Sequence, residues 1–170
     1  MADAGISSTI DQAAQKAALN ATLPLVMVRG VVLQESGGNP FAVRYEPGFY
    51  ERYLKDKSVD FVPSGCSRDT ERIGRSISWG LMQIMGETAR CVGFRGWFGE
   101  LLMPETGLAW GCAYLARLRD RYLARGGWPG VLRAYNGGPG NWANPANHYP
   151  DAVLSHIPGG VWPDAEVGRG

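Results

Sequence analysis

The spacing of hydrophobic residues along the chain predicts a mainly helical protein. Between residues 104 and 125, apolar side chains recur every three or four positions and arginines occupy the other faces, which is typical of an amphipathic helix. Residues 24–36 are apolar on nearly every side, so we expect this helix to run through the core. Helix-forming residues between turn signals predict further helices at residues 10–20, 47–57, 87–92, 128–135 and 147–156.

Glycines and prolines separate the predicted helices. Pairs of glycines end the core helix and the long amphipathic helix, at residues 37–38 and 126–127. Residues 61–78 are polar and contain a proline and a glycine, so we expect a loop there. Residues 79–85 form a short apolar run with one amide, which fits either a buried strand or the start of a helix. The pattern therefore predicts six or seven helices with little sheet.

Length and composition fit one folded domain. The 170 residues are 45% hydrophobic and include 6 Trp, 7 Tyr and 5 Phe, which excludes an intrinsically disordered chain. A formal net charge of +1 argues against non-specific binding to DNA, so we expect no nucleic-acid partner. The best apolar stretch, residues 23–33, is interrupted by polar and helix-breaking residues and is too short to span a membrane. We assign residues 1–157 to the domain and residues 158–170 to a Gly- and Pro-rich tail.

The sequence also gives expectations about secretion, disulfides and metal binding. They come from the amino terminus, the cysteines and the histidines. The first 16 residues have neither a basic start nor an apolar core, so we expect no secretory signal. Cys66, Cys91 and Cys112 are an odd number without a CxxC pair, which favours reduced thiols and leaves a Cys91–Cys112 bridge open. The two histidines, His148 and His156, provide no zinc-type ligand set. We therefore expect neither a metal nor another cofactor.

Glu35 is the most informative polar residue, because it ends the predicted core helix. Burial disfavours the charged form of a carboxyl, and so does the negative end of the helix dipole. Both effects raise the pKa, and a carboxyl that is neutral near pH 7 can donate a proton as a general acid. The alternative is an ordinary exposed glutamate at the end of a helix.

Two other segments carry polar groups that suit a ligand-binding cleft. Gln83 is the lone amide of an apolar run, and a buried amide must find hydrogen-bond partners. Tyr135 and Asn136 end a predicted helix just before two glycines, where a phenol and an amide can line a cleft. Each segment also has a structural interpretation: Gln83 as a core residue bonded to the backbone, and Asn136 as part of a helix C-cap.

Three motifs, taken in order, resemble the lytic transglycosylase family of the soluble-lytic-transglycosylase type, relatives of goose-type lysozyme. They are E-S-G-G-N-P at residues 35–40, G-L-M-Q-I at residues 80–84 and A-Y-N-G-G at residues 134–138. The resemblance implies a mainly α, lysozyme-like single domain with a sugar-binding cleft and a short irregular or hairpin lobe. The implied substrate is peptidoglycan, cleaved at the β-1,4 bond between N-acetylmuramic acid (MurNAc) and N-acetylglucosamine (GlcNAc).

The resemblance also implies roles for individual residues. Glu35 takes the single acid/base role, and the product carries a 1,6-anhydro-MurNAc end. No second carboxylate is needed, because the 2-acetamido oxygen of the substrate can attack the anomeric carbon. In two places the chain departs from the family: the interval between residues 40 and 80 is longer, and no acidic residue lies just upstream of Tyr149. The substrate-binding candidates are Ser36, Glu46, Ser78, Met82 through its backbone, Gln83, Tyr135, Asn136 and Tyr149.

Two other functions remain open at this point. A lysozyme-type hydrolase would use the same acid with a second carboxylate about 6.5–9.5 Å away. The candidates for this carboxylate are Glu46, Glu51, Asp60, Asp69, Glu71 and Glu87. Of these we favour Glu46 and expect the others at the solvated surface. Alternatively, the chain is a non-catalytic wall-binding component. Without a secretory signal, we expect the protein to travel in a bacteriophage particle, with other phage structural proteins as partners, or to pass from the host cytoplasm to the periplasm after lysis.

Overall fold

The computed structural model describes residues 6–164, and its elements are mostly helices. The prediction of a mainly α fold with little sheet is therefore confirmed. In chain order the elements are α1 (Ser8–Asn20), α2 (Leu25–Ser36), β1 (Val43–Tyr45), α3 (Pro47–Phe49, continued by a π-helix, Tyr50–Leu54), α4 (Arg68–Arg75), β2 (Ile77–Trp79), β3 (Ile84–Met85), α5 (Gly86–Cys91), a 3-10 helix (Phe98–Leu102), α6 (Pro104–Gly137), a 3-10 turn (Pro139–Asn141), α7 (Tyr149–Leu154) and a last 3-10 turn (Pro158–Gly160).

Helix α2 lies at the centre of the main hydrophobic core. Its residues Met27, Val28 and Val31 have no exposed surface, as the apolar pattern of this segment predicts. Helices α1 and α7 pack against it, and α6 contributes buried residues to the same core. A Cβ at Gly30 would lie 3.2 Å from Cγ1 of Val153, so the glycine permits the close approach of α7. This contact matters for the site, because α7 begins at a tyrosine beside the end of α2.

Helix α6 is interrupted at Gly127, where φ is +59° and ψ is −168°. An L-residue with a side chain rarely adopts such a φ, and Pro129 follows two residues later. The interruption agrees with the two separate helices predicted at residues 104–125 and 128–135. It lets the second half turn so that its carboxyl end reaches the cleft.

A small three-stranded antiparallel sheet stands beside the helical core, in the order β1-β2-β3. It has its own apolar cluster, which includes Ile84, Phe94 and Phe98. The ambiguous run 79–85 is the end of β2, a tight turn and β3. The turn needs positive φ angles, +66° at Gly80 and +45° at Gln83. We call the part of the chain from residue 43 to residue 102 the small lobe.

The expectation of a loop over residues 61–78 is wrong, because α4 and the start of β2 lie there. The side chain of Ser67 caps α4 by accepting a hydrogen bond from the backbone N–H of Thr70 at 3.1 Å. Glu71 of α4 is fully buried and binds Arg75 and Arg90 through their guanidinium groups. A buried carboxylate between two arginines lets this polar segment join the interior.

Other sequence expectations concern the cysteines, the tail and membrane segments. All three thiols are free, with Cys112 buried and Cys91 exposed. Of the tail, residues 165–170 lie outside the described part; Trp128 donates its indole N–H to the carbonyl of Pro163 at 3.0 Å. No helix within residues 6–164 has the length and apolar character needed to cross a membrane. The same range contains no cluster of three His, Cys, Asp or Glu residues that suits a metal ion.

Candidate active site

A cleft of about 700 Å³ runs between the helical core and the small lobe. The end of α2 contributes Glu35, and the sheet contributes Arg44, Ser78 and Met85. The last three form a row across the sheet, because Arg44 pairs with Ser78 and Ser78 pairs with Met85. The opposite wall is the end of α6 with the 3-10 turn that follows it, residues 135–141.

Glu35 lies in the last turn of α2, half-buried and facing this cleft. Its Oε1 accepts a hydrogen bond from the hydroxyl of Tyr149 at 2.6 Å. Burial raises the pKa of Glu35 above its ordinary value, although the bond from Tyr149 and the charge of Arg44 act in the opposite direction. Burial therefore favours the protonated form of this carboxyl at the cleft.

Tyr149, the first residue of α7, is held in place by two asparagines. Its backbone N–H donates to Oδ1 of Asn147 at 3.0 Å, and Nδ2 of Asn147 donates to Oδ1 of Asn136 at 3.2 Å. Burial and the nearby Glu35 raise the pKa of Tyr149, so its hydroxyl stays protonated and donates. The missing acidic residue upstream, replaced here by Asn147 and its neighbours, does not remove this tyrosine from the site.

Two hydroxyl groups attach the turn between β2 and β3 to the helical core. Tyr135 donates to the carbonyl of Met82 at 2.7 Å, and Ser36 donates to the carbonyl of Leu81 at 2.8 Å. The Met82 side chain is fully buried, with its sulfur 3.9 Å from Sγ of Cys112. The carbonyl of Met82 is thus bonded to Tyr135, and a contact between the Met82 backbone and the sugar stays a prediction. Ser36 likewise positions the turn.

Gln83 lines the cleft at the end of this turn. Its Nε2 donates to the carbonyls of Ala42 and Gly80, both at 2.9 Å. The interpretation of Gln83 as a residue bonded to the backbone is therefore correct for its amide nitrogen. Because both bonds use the nitrogen, the amide oxygen can accept a hydrogen bond from a ligand. Ser78, Tyr135 and Asn136, also candidates from the sequence, line the same cleft.

Glu46 is the one candidate second carboxylate that lines the cleft. Its Oε1 lies 2.5 Å from Nε of Arg44. Glu51 pairs with Lys55 and Asp69 with Arg72, whereas Asp60, Glu71 and Glu87 gather around Arg75. The expectation of a solvated surface position is wrong for Glu71, which has no exposed surface.

Sequence reasoning missed the wall that α3 and its π-helical continuation provide. Phe49, Arg52 and Tyr53 line the cleft from this segment. Their spacing of three and four residues is the signal that could have found them, because it places side chains on one face of a helix. Below, these three residues are called the α3 wall.

Comparisons with known proteins agree with the fold and the motifs. No curated protein matches the chain. A solved structure of an inactive Glu-to-Gln mutant of the lytic transglycosylase Slt from Pseudomonas aeruginosa has a TM-score of 0.53 and 20% identity, over 86% of this chain and 20% of that one. The chain thus spans about a fifth of the length of that enzyme, with the same fold in the shared part. The profile of the transglycosylase SLT domain matches residues 12–152, most of the chain, and the protein belongs to that family.

Proposed function

We propose that the protein is a peptidoglycan lytic transglycosylase. It cleaves the β-1,4 bond between MurNAc and GlcNAc and leaves a 1,6-anhydro-MurNAc end. The observation that carries this proposal is the Glu35 carboxyl, which faces the cleft with a raised pKa and a hydrogen bond from Tyr149 at 2.6 Å. Membership of the transglycosylase SLT domain family supports it.

In the first step, protonated Glu35 donates its proton to the glycosidic oxygen. The bond between that oxygen and the anomeric carbon of MurNAc breaks, and the GlcNAc alcohol leaves. The 2-acetamido oxygen of MurNAc forms a new bond to the anomeric carbon, as in other substrate-assisted glycosidases. A raised pKa favours this step, because it keeps Glu35 protonated at a higher pH.

In the second step, ionised Glu35 accepts the proton of the 6-hydroxyl of MurNAc. The 6-oxygen bonds to the anomeric carbon while the bond to the acetamido oxygen breaks, which closes the 1,6-anhydro ring. The hydroxyl of Tyr149 stabilises the carboxylate between the two steps, because a hydrogen bond to the charged form lowers the pKa. Burial and this hydrogen bond thus act in opposite directions on a group that must give up a proton and take it back.

Mass spectrometry of the released muropeptides tests this proposal. The unmodified protein should release fragments with anhydro ends, and Glu35→Gln should release none while giving the circular dichroism spectrum of the folded protein. Glu51→Gln is the matched control, because Glu51 pairs with Lys55 away from the cleft. A folded Glu35→Gln protein with full activity would refute the assignment.

Hydrolysis is the second candidate function, and one observation favours it: Glu46 lines the same cleft as Glu35. A hydrolase would use Glu46 to activate a water and would release reducing ends with the mass of one added water. The pairing of Glu46 with Arg44 at 2.5 Å argues for a structural role instead. Reducing ends that disappear in Glu46→Gln would favour hydrolysis over transglycosylation.

A wall-binding role without cleavage is the remaining alternative, and the product assay also tests it. Binding of glycan strands by the unmodified protein with no released fragments would support it. Transport in a phage particle, with other phage proteins as partners, and action on the wall from the periplasm stay predictions. Fractionation of lysates and purified particles with an antibody against this chain would test them.

A further inference from the structure

We propose that the α3 wall binds carboxylates of the peptide stems that peptidoglycan strands carry, with Arg52 as the charged contact. This inference rests on the proposed function, since it needs a peptidoglycan strand in the cleft. It assigns a specificity role to a segment that lies in the longer-than-usual interval between the first two family motifs.

The three side chains form one surface on the cleft. The rings of Phe49 and Tyr53 lie 4.9 Å apart and tilted by 52°, and the Arg52 guanidinium carbon lies 5.7 Å from the centre of the Tyr53 ring. Rings beside a cation provide apolar area for the aliphatic part of a ligand and a charge for its acidic part. The surface lines the same cleft as Glu35.

The segment that carries this surface is fixed to the rest of the small lobe. Leu54, at the end of the π-helix, is only 2% exposed. Tyr50 packs against Tyr45 of β1 with ring centres 6.4 Å apart. The backbone that carries the α3 wall is therefore anchored to the small lobe before a ligand arrives, which reduces the entropy lost on binding.

The charges around Arg52 indicate which kind of ligand the α3 wall binds. Within residues 6–164, Arg52 makes no ion pair, whereas the other cleft arginine, Arg44, pairs with Glu46. The neighbouring Glu51 is paired with Lys55 at 3.0 Å. A guanidinium without a counter-charge suits a carboxylate, which it can bind through two parallel hydrogen bonds.

The chemistry of a peptidoglycan strand then indicates which of its carboxylates Arg52 binds. The sugars of a peptidoglycan strand are uncharged where the lactyl group of MurNAc is joined to a peptide through an amide. The acidic groups of such a strand lie in the peptide. An unpaired arginine in the cleft therefore fits the peptide stem rather than the sugar backbone.

Binding measurements on a cleavage-deficient protein test this inference. Glu35→Gln is the parent, and Arg52→Gln, Arg52→Lys and Arg121→Gln are added to it singly. Arg121 is the matched control, because it also precedes a tyrosine, lies 5.3 Å from the centre of the Tyr122 ring and is exposed outside the cleft. Fluorescence titration gives Kd for three ligands: native peptide-bearing strands, the same strands with carboxylates converted to neutral methylamides, and strands stripped of peptides by an amidase.

We expect Arg52→Gln to raise Kd for native strands about 5-fold, as for a partly exposed ion pair, and to leave Kd for the neutralised and stripped strands unchanged. Arg52→Lys should raise it less, because the charge remains. Arg121→Gln should have no effect on any ligand. The increase for Arg52→Gln should shrink at high salt, because salt screens exposed charges.

Four results would overturn the inference. The first is an unchanged Kd for native strands in Arg52→Gln, and the second is no binding of native strands by the parent. The third is an equal loss for all three ligands, which would indicate a general structural effect. The fourth is a loss for the stripped strands, which would assign Arg52 to the lactyl carboxylate that the amidase exposes. None of these depends on cleavage, so product analysis of the unmodified protein separately decides the proposed function.

Discussion

Replacement of Glu71 by alanine tests whether one buried carboxylate holds the small lobe together. Oε1 of Glu71 accepts hydrogen bonds from Nε of Arg75 at 2.9 Å and Nε of Arg90 at 2.8 Å, and Oε2 accepts one from Nη2 of Arg90 at 3.0 Å. Glu71 has no exposed surface, and the two arginines are 3% and 5% exposed. The variant therefore removes three charge-assisted hydrogen bonds from groups that water barely reaches.

The expected loss of stability in Glu71→Ala follows from the partners that each arginine retains. Arg75 still pairs with Asp60 at 2.7 Å and with Glu87 at 3.2 Å, whereas Arg90 loses its carboxylate partner. Arg90 keeps the carbonyl of Phe94 and the ring of Phe98, 4.1 Å from its guanidinium carbon. Because one buried cation is left without a counter-charge, we expect a loss of about 3–5 kcal/mol in the free energy of unfolding.

Urea unfolding followed by tryptophan fluorescence measures this loss. Asp60→Asn is the matched control, because Asp60 also binds Arg75 but its side chain is 76% exposed; its stability should stay close to that of the unmodified protein. Glu71→Gln should fall between the two, since an amide oxygen can still accept a hydrogen bond. If Glu71→Ala cost no more than Asp60→Asn, the buried network would not stabilise the lobe and the reasoning would fail.

Three further predictions concern the cleft and its supports. Tyr149→Phe removes a hydrogen bond that lowers the pKa of Glu35, so the alkaline limb of the profile of kcat/KM against pH should move to higher pH; an unmoved limb would contradict this. Folding raises the pKa of Glu35 above its ordinary value of about 4.5. The contribution of Glu35 to the free energy of unfolding therefore declines as the pH rises above that value. Glu35→Gln should therefore be more stable than the unmodified protein at pH 8 and no more stable at pH 4 in urea unfolding, and an equal difference at both values would refute the link. Gly80→Ala should lower Tm more than Gly37→Ala: both have positive φ, which costs about 1–3 kcal/mol for a non-glycine residue, but only at Gly80 would the Cβ clash, 2.4 Å from the carbonyl oxygen of Leu101. Equal losses would mean that the clash is relieved at no cost.

Local pattern predicted the helices well where a helix buries apolar residues in the core. The apolar segment at residues 24–36 is the buried α2, and the glycine at residue 127 interrupts α6 as predicted. The same approach failed over residues 61–78, because α4 is stabilised by a buried ion pair between Glu71 and Arg90, 19 residues apart. Polarity alone does not distinguish a solvated loop from a helix whose charges are paired in the interior.

The sequence by itself determined where the candidate catalytic carboxyl lies in the chain. Glu35 lies at the end of an apolar helix, two residues before Gly37, and these local features indicate burial and a helix end. The three motifs also indicated the family, and the family profile confirms that membership. All of these features are encoded in neighbouring residues, so they can be read without knowing how the elements pack.

Only the tertiary structure decided which groups surround that carboxyl. Tyr149 lies 114 positions from Glu35 and contacts it because α7 packs against α2. The turn between β2 and β3 directs Met82 inward and leaves Gln83 at the cleft, and the small lobe brings Arg52 to the same cleft. Periodicity specifies the buried face of one element, but distances between elements depend on packing contacts far apart in the chain, which is why the structure was needed to assemble the site.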